Sequence, residues 1–310
     1  MKQPALILFY VFMNFETLTL ASSSTSSVFK LAYGYKITQG TPLGNWTSTA
    51  MKPTFCALLC SGECNSATFS VKYQTCITFK EKFFAPNIFW TSDLDWCMLY
   101  RDESILQFED WRIVFKAYSG INSSFYNLWE KDGHHDDEPL SSDLAMGCYR
   151  WDKTETCTSH FRSSVLDNWT NIEKVKFALY TNASEVAYIT FNGTSTNRQS
   201  WYDRMLIIES SWSLLKTDTQ AVNFNFQGLT VDNDFRRMII FGPYAGCNND
   251  RMYVCTFDTN YESCSTNWMP IPSYPLFIYS PQNQMVKVST KPPEYAVAEI
   301  MSVFVQQKQP

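Results

Sequence analysis

Ten cysteines fall in two sets of five: Cys56, Cys60, Cys64, Cys76 and Cys97, then Cys148, Cys157, Cys247, Cys255 and Cys264. An even cysteine count in a chain bound for an oxidising compartment reads as a disulfide framework. The gap between the sets holds "RDESILQFED" (101–110), charged and without cysteine, which marks a domain boundary. The cysteines thus divide the 310 residues into two separately cross-linked parts before any other feature is considered.

The compartment is argued from the N-terminus, "MKQPALILFYVFMNFETLTLASSS". Lys2 precedes nine apolar residues, Ala5–Met13, and small residues at Thr19 and Ala21 fit a cleavage site after Ala21. Nine residues are too few to cross ~30 Å of hydrocarbon as a helix. A cleaved signal peptide over 1–21 is expected, then a Ser/Thr-rich spacer at 22–27. No later run reaches transmembrane length. Five Asn-x-Ser/Thr sequons, at Asn45, Asn122, Asn168, Asn182 and Asn192, agree with a secreted, extracellular, N-glycosylated product.

A net charge of −5 and the lack of any basic cluster longer than Arg236-Arg237 exclude nucleic acid as a partner. Aromatic residues make up 16% of the chain, which favours strands. From Trp111 to Ser289, strand-like runs recur between turn residues: "WRIVFKAY", "KVKFALYT", "EVAYITFNG", "RMLIIES", "AVNFNFQGL", "RRMIIFGPY", "RMYVCTFD" and "PLFIYS". Many short strands without helices between them point to an antiparallel sandwich or barrel. The tail over 290–310 carries a Pro-Pro break and then a possible short helix.

The stretch "CALLCSGEC" (56–64) spaces three cysteines four apart. On one regular helix their β-carbons would lie ~5–6 Å apart, wider than the ~3.8 Å a disulfide wants. Ser61-Gly62 offers a helix terminator, which lets Cys60 and Cys64 close a tight turn and leaves Cys56 for a distant partner, most naturally Cys76. A metal cradle is the rival, but zinc sites favour C-x2-C pairs. "FCALLCSGECNSATFSVKYQTC" resembles the core of a PAN/apple domain, through Cys56, Cys60, Cys64, Ala67-Thr68-Phe69 and Cys76. The resemblance spans about 28–101. It implies a helix packed on an antiparallel sheet, the nested pairs Cys56–Cys76 and Cys60–Cys64, and a role in binding protein or carbohydrate. The chain departs from fuller apple domains in having no cysteine near the start of that stretch.

In the second part, Cys148–Cys157 and Cys247–Cys264 are the expected pairs. Cys97 and Cys255 remain, to pair with each other or, for Cys97, between molecules. The loop "KDGHHDDEP" offers His134, His135, Asp136, Asp137 and Glu138 as metal ligands, but adjacent ligands on one loop rarely complete a shell, and a solvated loop is the expectation. Asp232 and Asp234 lack the spacing of an EF-hand. No G-x-S-x-G elbow, P-loop, H-E-x-x-H or dinucleotide fingerprint occurs. No metal, cofactor or catalytic residue is expected. Trp111, Trp129, Trp151, Trp169, Trp201, Trp212 and Trp268 are expected in the core or at strand edges. The segments "WRIVFKAYSGINSSFYNLW" and "FRSSVLDNW" resemble an uncharacterised extracellular β-rich module of invertebrate proteins.

The expectation is therefore an α+β chain: a small PAN/apple-like module at 28–101, a linker at 102–110, and a mostly-β, antiparallel sandwich-like domain at 111–289. Its function would be recognition of an extracellular protein or glycan. A secreted hydrolase working through carboxylates of the β-rich domain is the alternative, and a matrix component a third.

Overall fold

The computed structural model describes residues 17–22, 25–39, 42–47, 56, 59–60, 64, 66–70, 72–80, 89–101, 107–108, 110–137, 148, 157–228, 236–259, 264, 273–289 and 293–308. The chain divides into two compact units, Met1–Glu109 and Asp110–Pro310.

The first unit is built on one antiparallel sheet. Its strands are β1 (Thr17–Ser22), β2 (Thr25–Gln39), β3 (Pro42–Thr47), β4 (Ser66–Ser70), β5 (Thr75–Phe79) and β6 (Phe89–Arg101), in the order β1-β2-β6-β4-β5-β3. Register places Phe69 opposite Cys76 on one side and Cys97 on the other. The buried cluster here is Cys56, Cys60, Cys64, Ala67, Phe69 and Cys76, with Trp46 and Leu59 packed against it. The Trp46 ring lies over Gly44, where a β-carbon would fall 1.9 Å from it, so any larger residue there displaces the ring. The expected cleavage point after Ala21 lies inside β1, and Thr25–Ser27 of the expected spacer already belong to β2.

The fold class differs from expectation. The molecule is mostly β, with about 46% strand and 8% helix in three antiparallel sheets, and not an α+β chain with a helix layered on a sheet. Of the helix expected around Cys56–Cys60, the described residues show one helical turn, closed by the Cys60 N–H donating to the Cys56 carbonyl at 3.1 Å. The physical reason lies in the aromatic and β-branched content, which suits pleated, half-buried surfaces. A turn cross-linked at both ends needs no helical layer to hold it.

The two-residue strand β7 (Gln107–Phe108) falls within the first unit's span, and the second unit holds β8 (Trp111–Tyr118), helix α1 (Phe125–Glu130), β9 (Phe161–Arg162), β10 (Ile172–Thr181), β11 (Ser184–Asn192), β12 (Ile207–Ser210), β13 (Asn223–Asn225), β14 (Arg236–Phe241), β15 (Arg251–Phe257), β16 (Leu276–Tyr279), β17 (Val286–Lys287), β18 (Ala296–Ala298) and β19 (Ile300–Gln307). One sheet runs β12-β11-β10-β19-β8, with β9 beside β8. The other runs β13-β14-β15-β16-β18, with β17 beside β15. Both contribute to one core, which joins Phe115, Phe177, Ile189 and Val303 from the first to Ile240, Val254 and Phe277 from the second. A second cluster on the other face of β14–β16 gathers Ile239, Phe241, Cys255, Cys264 and Ile278.

The 290–310 tail is not a short helix. Ile300–Gln307 is a strand hydrogen-bonded between β10 and β8, and its first six residues are all buried. Covered on both faces, it reads in sequence as a continuous apolar run, which hides the alternation that marks a half-exposed strand. The β10–β11 hairpin turns on two residues, Asn182 (φ 50°) and Ala183 (φ 59°), the paired positive φ of a type I′ turn.

Candidate functional site

The polar loop after α1 is structural. Arg162, fully buried on β9, donates from Nη2 to Asp167 Oδ1 at 2.5 Å, from Nη1 to the His134 carbonyl at 2.7 Å and from Nε to the Trp129 carbonyl at 3.2 Å. Asp136 is buried and accepts from the Arg162 backbone N–H at 3.2 Å, while Asp137 accepts from the Ser164 N–H at 2.5 Å. The Arg162 guanidinium holds Asp167 below the usual carboxylate range, and burial pushes Asp136 above it. These carboxylates face backbone donors and a guanidinium, which is the chemistry of a latched loop. Among the described residues no group of three His, Cys, Asp or Glu is placed to hold a metal. Glu138, Asp232 and Asp234 lie outside the described residues.

His160 is also structural. Its Nδ1 accepts from the Tyr118 N–H at 3.1 Å, so its proton sits on Nε2 and is donated to the Ser123 carbonyl at 2.8 Å. Burial lowers its pKa to about 4, keeping the ring neutral. Nearby, Asp258 fixes the start of α1. It accepts from Ser124 Oγ at 2.5 Å and the Tyr126 N–H at 3.1 Å, while Ser124 Oγ itself accepts from the Asn127 N–H.

The tryptophans are packed rather than displayed. Trp129 and Trp201 are both fully buried, in a cluster with Phe115 (5.0 Å from Trp129), Phe226 (5.2 Å from Trp129) and Phe191 (5.3 Å from Trp201). Trp212 is buried and donates from Nε1 to the Ser280 carbonyl. Trp111 and Trp169 are half-buried, and Trp151 and Trp268 lie outside the described residues.

Disulfides join Cys56–Cys76, Cys60–Cys64, Cys148–Cys157 and Cys247–Cys264. Cys255 is buried in β15. The side chain of Cys97 lies outside the described residues, and a Cys97–Cys255 bridge with it. All five sequon asparagines are exposed: Asn45 on β3, Asn122 and Asn168 in loops, Asn182 in the hairpin turn and Asn192 at the end of β11. At Asn168 the sequon hydroxyl, Thr170 Oγ1, donates to Asn168 Oδ1 at 3.4 Å.

Among the described residues of the second unit lies a cleft of about 420 Å³, within the size range of small-ligand sites. Asp218, Gln220, Gly242, Pro243, Ala245, Asn249, Arg251, Gln284 and Met285 line it. Three connections meet here, and each is held in place. The 211–222 loop is anchored by buried Trp212 and Leu215, and the Asp218 N–H donates to the Leu214 carbonyl at 2.8 Å. The β14–β15 connection is closed by the Gly242 N–H to the Arg251 carbonyl, by the Ala245 N–H to buried Asp250 and by the Cys247–Cys264 bridge. The turn before β17 wraps on Ser280, whose Oγ donates to the Gln284 carbonyl at 2.6 Å and accepts from the Gln282 N–H at 3.2 Å. Loops on a rigid frame of this kind are where binding residues concentrate.

Within the cleft, Asp218 is aimed by its neighbours. Oδ2 accepts from the Tyr253 hydroxyl at 2.8 Å and Oδ1 from the Gln220 N–H at 2.9 Å. Burial, then the bond to Asp218, raises the Tyr253 pKa, so the phenol stays a donor. Arg251 and Gln220 are exposed, and Met285 forms a buried apolar floor. Sequence reading did not find this site. Its polar residues are scattered from 218 to 284 in three turns, "KTDTQ", "GPYAGCNND" and "SPQNQ", which carry turn chemistry but no shared motif.

No family model and no curated protein matches the chain. Four disulfides, and no helix among the described residues long and apolar enough to cross a membrane, fit an extracellular protein.

Proposed function

We propose that this is a secreted, N-glycosylated recognition protein that binds an extracellular protein or glycan, with the cleft of the second unit as its binding site. The observation that carries the reading is the convergence of Asp218, Gln220, Asn249, Arg251 and Gln284 over an apolar floor, on loops that the fold holds rigid. Hydrogen-bonding groups above an apolar base are the ordinary composition of a ligand site.

Recognition is favoured over the hydrolase alternative by the carboxylates. Glycoside hydrolysis needs two of them, ~5–9.5 Å apart across the scissile bond. Among the described residues lining the cleft, Asp218 is the one carboxylate. Asp250, next in sequence to Arg251, is buried, with Oδ1 accepting from the Ala245 N–H and Oδ2 facing Arg236 Nη1 at 3.7 Å. The PAN/apple resemblance of the first unit supports the same class of function. Its disulfide pairs Cys56–Cys76 and Cys60–Cys64 keep that reading open, and the lack of a matching family model leaves it resting on the cysteine pattern.

The test is capture from extracellular material by the immobilised full chain, compared with a Gln220→Ala/Arg251→Ala variant of unchanged melting temperature. Retained ligand in the wild type and loss in the variant is the expected result. Equal capture by both removes the cleft from the reading. Turnover of a sugar or ester panel that Asp218→Asn abolishes would replace recognition with hydrolysis.

A further inference from the structure

Resting on that reading of the cleft, the donor and acceptor inventory narrows the ligand class. We infer that the cleft takes a neutral saccharide, engaged through vicinal hydroxyls. The described lining residues carry a carboxylate (Asp218), a guanidinium (Arg251) and three primary amides (Gln220, Asn249, Gln284). Asn249 Nδ2 also donates to the Ala245 carbonyl and Gln284 Nε2 to Gln282 Oε1, which leaves each of these two amides its oxygen and one N–H for a ligand. All five are planar, and each presents two polar atoms side by side, a match for adjacent ring hydroxyls.

The polarity of the set selects against ions. A carboxylate only accepts hydrogen bonds, a guanidinium only donates, and an amide does both. A phosphate or sulfate, which only accepts, would satisfy Arg251 and stand against Asp218. An ammonium would do the reverse. Each engages one charged member of the pair and repels the other, whereas a neutral ligand meets both without repulsion. A hydroxyl donates and accepts at once, so a row of them satisfies every member of the set. Among the described lining residues one cation, Arg251, stands against one anion, Asp218, so their charges offset.

The apolar part fits the same ligand. Met285, with Pro243 and Ala245, gives a surface for the C–H face of a pyranose ring. Asp218 is already oriented by Tyr253 and by the Gln220 N–H, so binding has little side-chain freedom left to remove there.

The experiment uses the full glycosylated chain and calorimetric titration with neutral oligosaccharides of glucose, galactose and mannose, uronate-bearing and sulfated oligosaccharides, and a zwitterionic amino acid. The expected result is binding of a neutral member, unchanged between low and high salt, and weakened tenfold or more by Gln220→Ala and by Arg251→Ala. Arg251→Lys, which keeps the charge and loses the planar fork, is expected to fall with the alanine variant. Preference for a charged saccharide or the amino acid, with affinity falling as salt rises, overturns the neutral class and leaves recognition standing. So does a protein partner whose binding the same substitutions abolish while no saccharide binds. Saccharide binding indifferent to every cleft substitution overturns both this inference and the cleft as the site.

Discussion

In the first unit, the buried cluster beside β4 and β5 is made of Cys56, Cys60, Cys64 and Cys76, with Ala67 and Phe69 between them. In the second, the corresponding space is filled by Trp129, Trp201, Phe115, Phe191, Phe226 and Tyr202, their rings 5–6 Å apart and mostly tilted or edge-on. Among the described residues, half-cystines dominate the first cluster and aromatic rings the second, so restriction of the unfolded chain weighs more in the one and removal of aromatic surface from water more in the other. The contrast follows from size, since short chains bury a smaller fraction of their surface and lean on cross-links. Reductant should unfold the first unit while the second keeps its aromatic core, and core truncation should do the opposite.

The largest effect is expected from Trp201→Ala, which empties a fully buried site and strands the Arg198 carbonyl that its Nε1 contacts at 2.8 Å. The second unit should lose ~3–5 kcal/mol in denaturant melts, with hydrogen exchange across β2–β6 unchanged. Next comes Cys56→Ser/Cys76→Ser. A bridge across a sequence separation of 20 contributes about 3 kcal/mol, lost from the first unit alone. Protection of β4 and β5 should drop while near-ultraviolet dichroism of the tryptophan cluster stays.

A smaller effect separates the units by pH. His160 is held neutral with a pKa of about 4, against about 6.5 when unfolded. The unfolded chain then binds the extra proton first. Stability is fully present above about pH 6.5 and falls as pH drops toward 4, by about 2–3 kcal/mol. Melts of the second unit between pH 7 and 4 should follow that slope, and His160→Gln should flatten it. A slope that persists in the variant assigns the titration elsewhere. The smallest effect is a gain: Ala183→Gly relieves a positive φ in the type I′ turn and should raise stability by ~0.5 kcal/mol, visible as a modest rise in melting temperature.

What could be read from the sequence depended on whether the signal was local. The runs "KVKFALYT" and "EVAYITFNG" coincide with β10 and β11, because one face of that hairpin alternates and two turn residues separate its strands. The final strand was not legible, since Ile300–Val305 is covered on both faces and its apolar run fits a short helix equally well. The α+β expectation came from the PAN/apple resemblance, which implies a helix packed on a sheet, whereas the molecule is mostly β. The cleft was invisible for a different reason. Asp218 and Gln284 are 66 positions apart, and only the pairing of β14, β15 and β17 brings their loops together. The loop at His134–Asp137 attracted attention because its charges are contiguous, yet they serve the Arg162 latch.

The position of β19 also sets a timetable. Until residues 300–307 have left the ribosome, β8 and β10 each present a row of open backbone donors and acceptors toward the place of β19, with the 181 residues 119–299 already made between β8 and β19. The first unit can oxidise and close during synthesis, whereas the second must wait for its keystone strand. A nascent chain stalled before Ile300 should therefore bind holdase chaperones through its second half only.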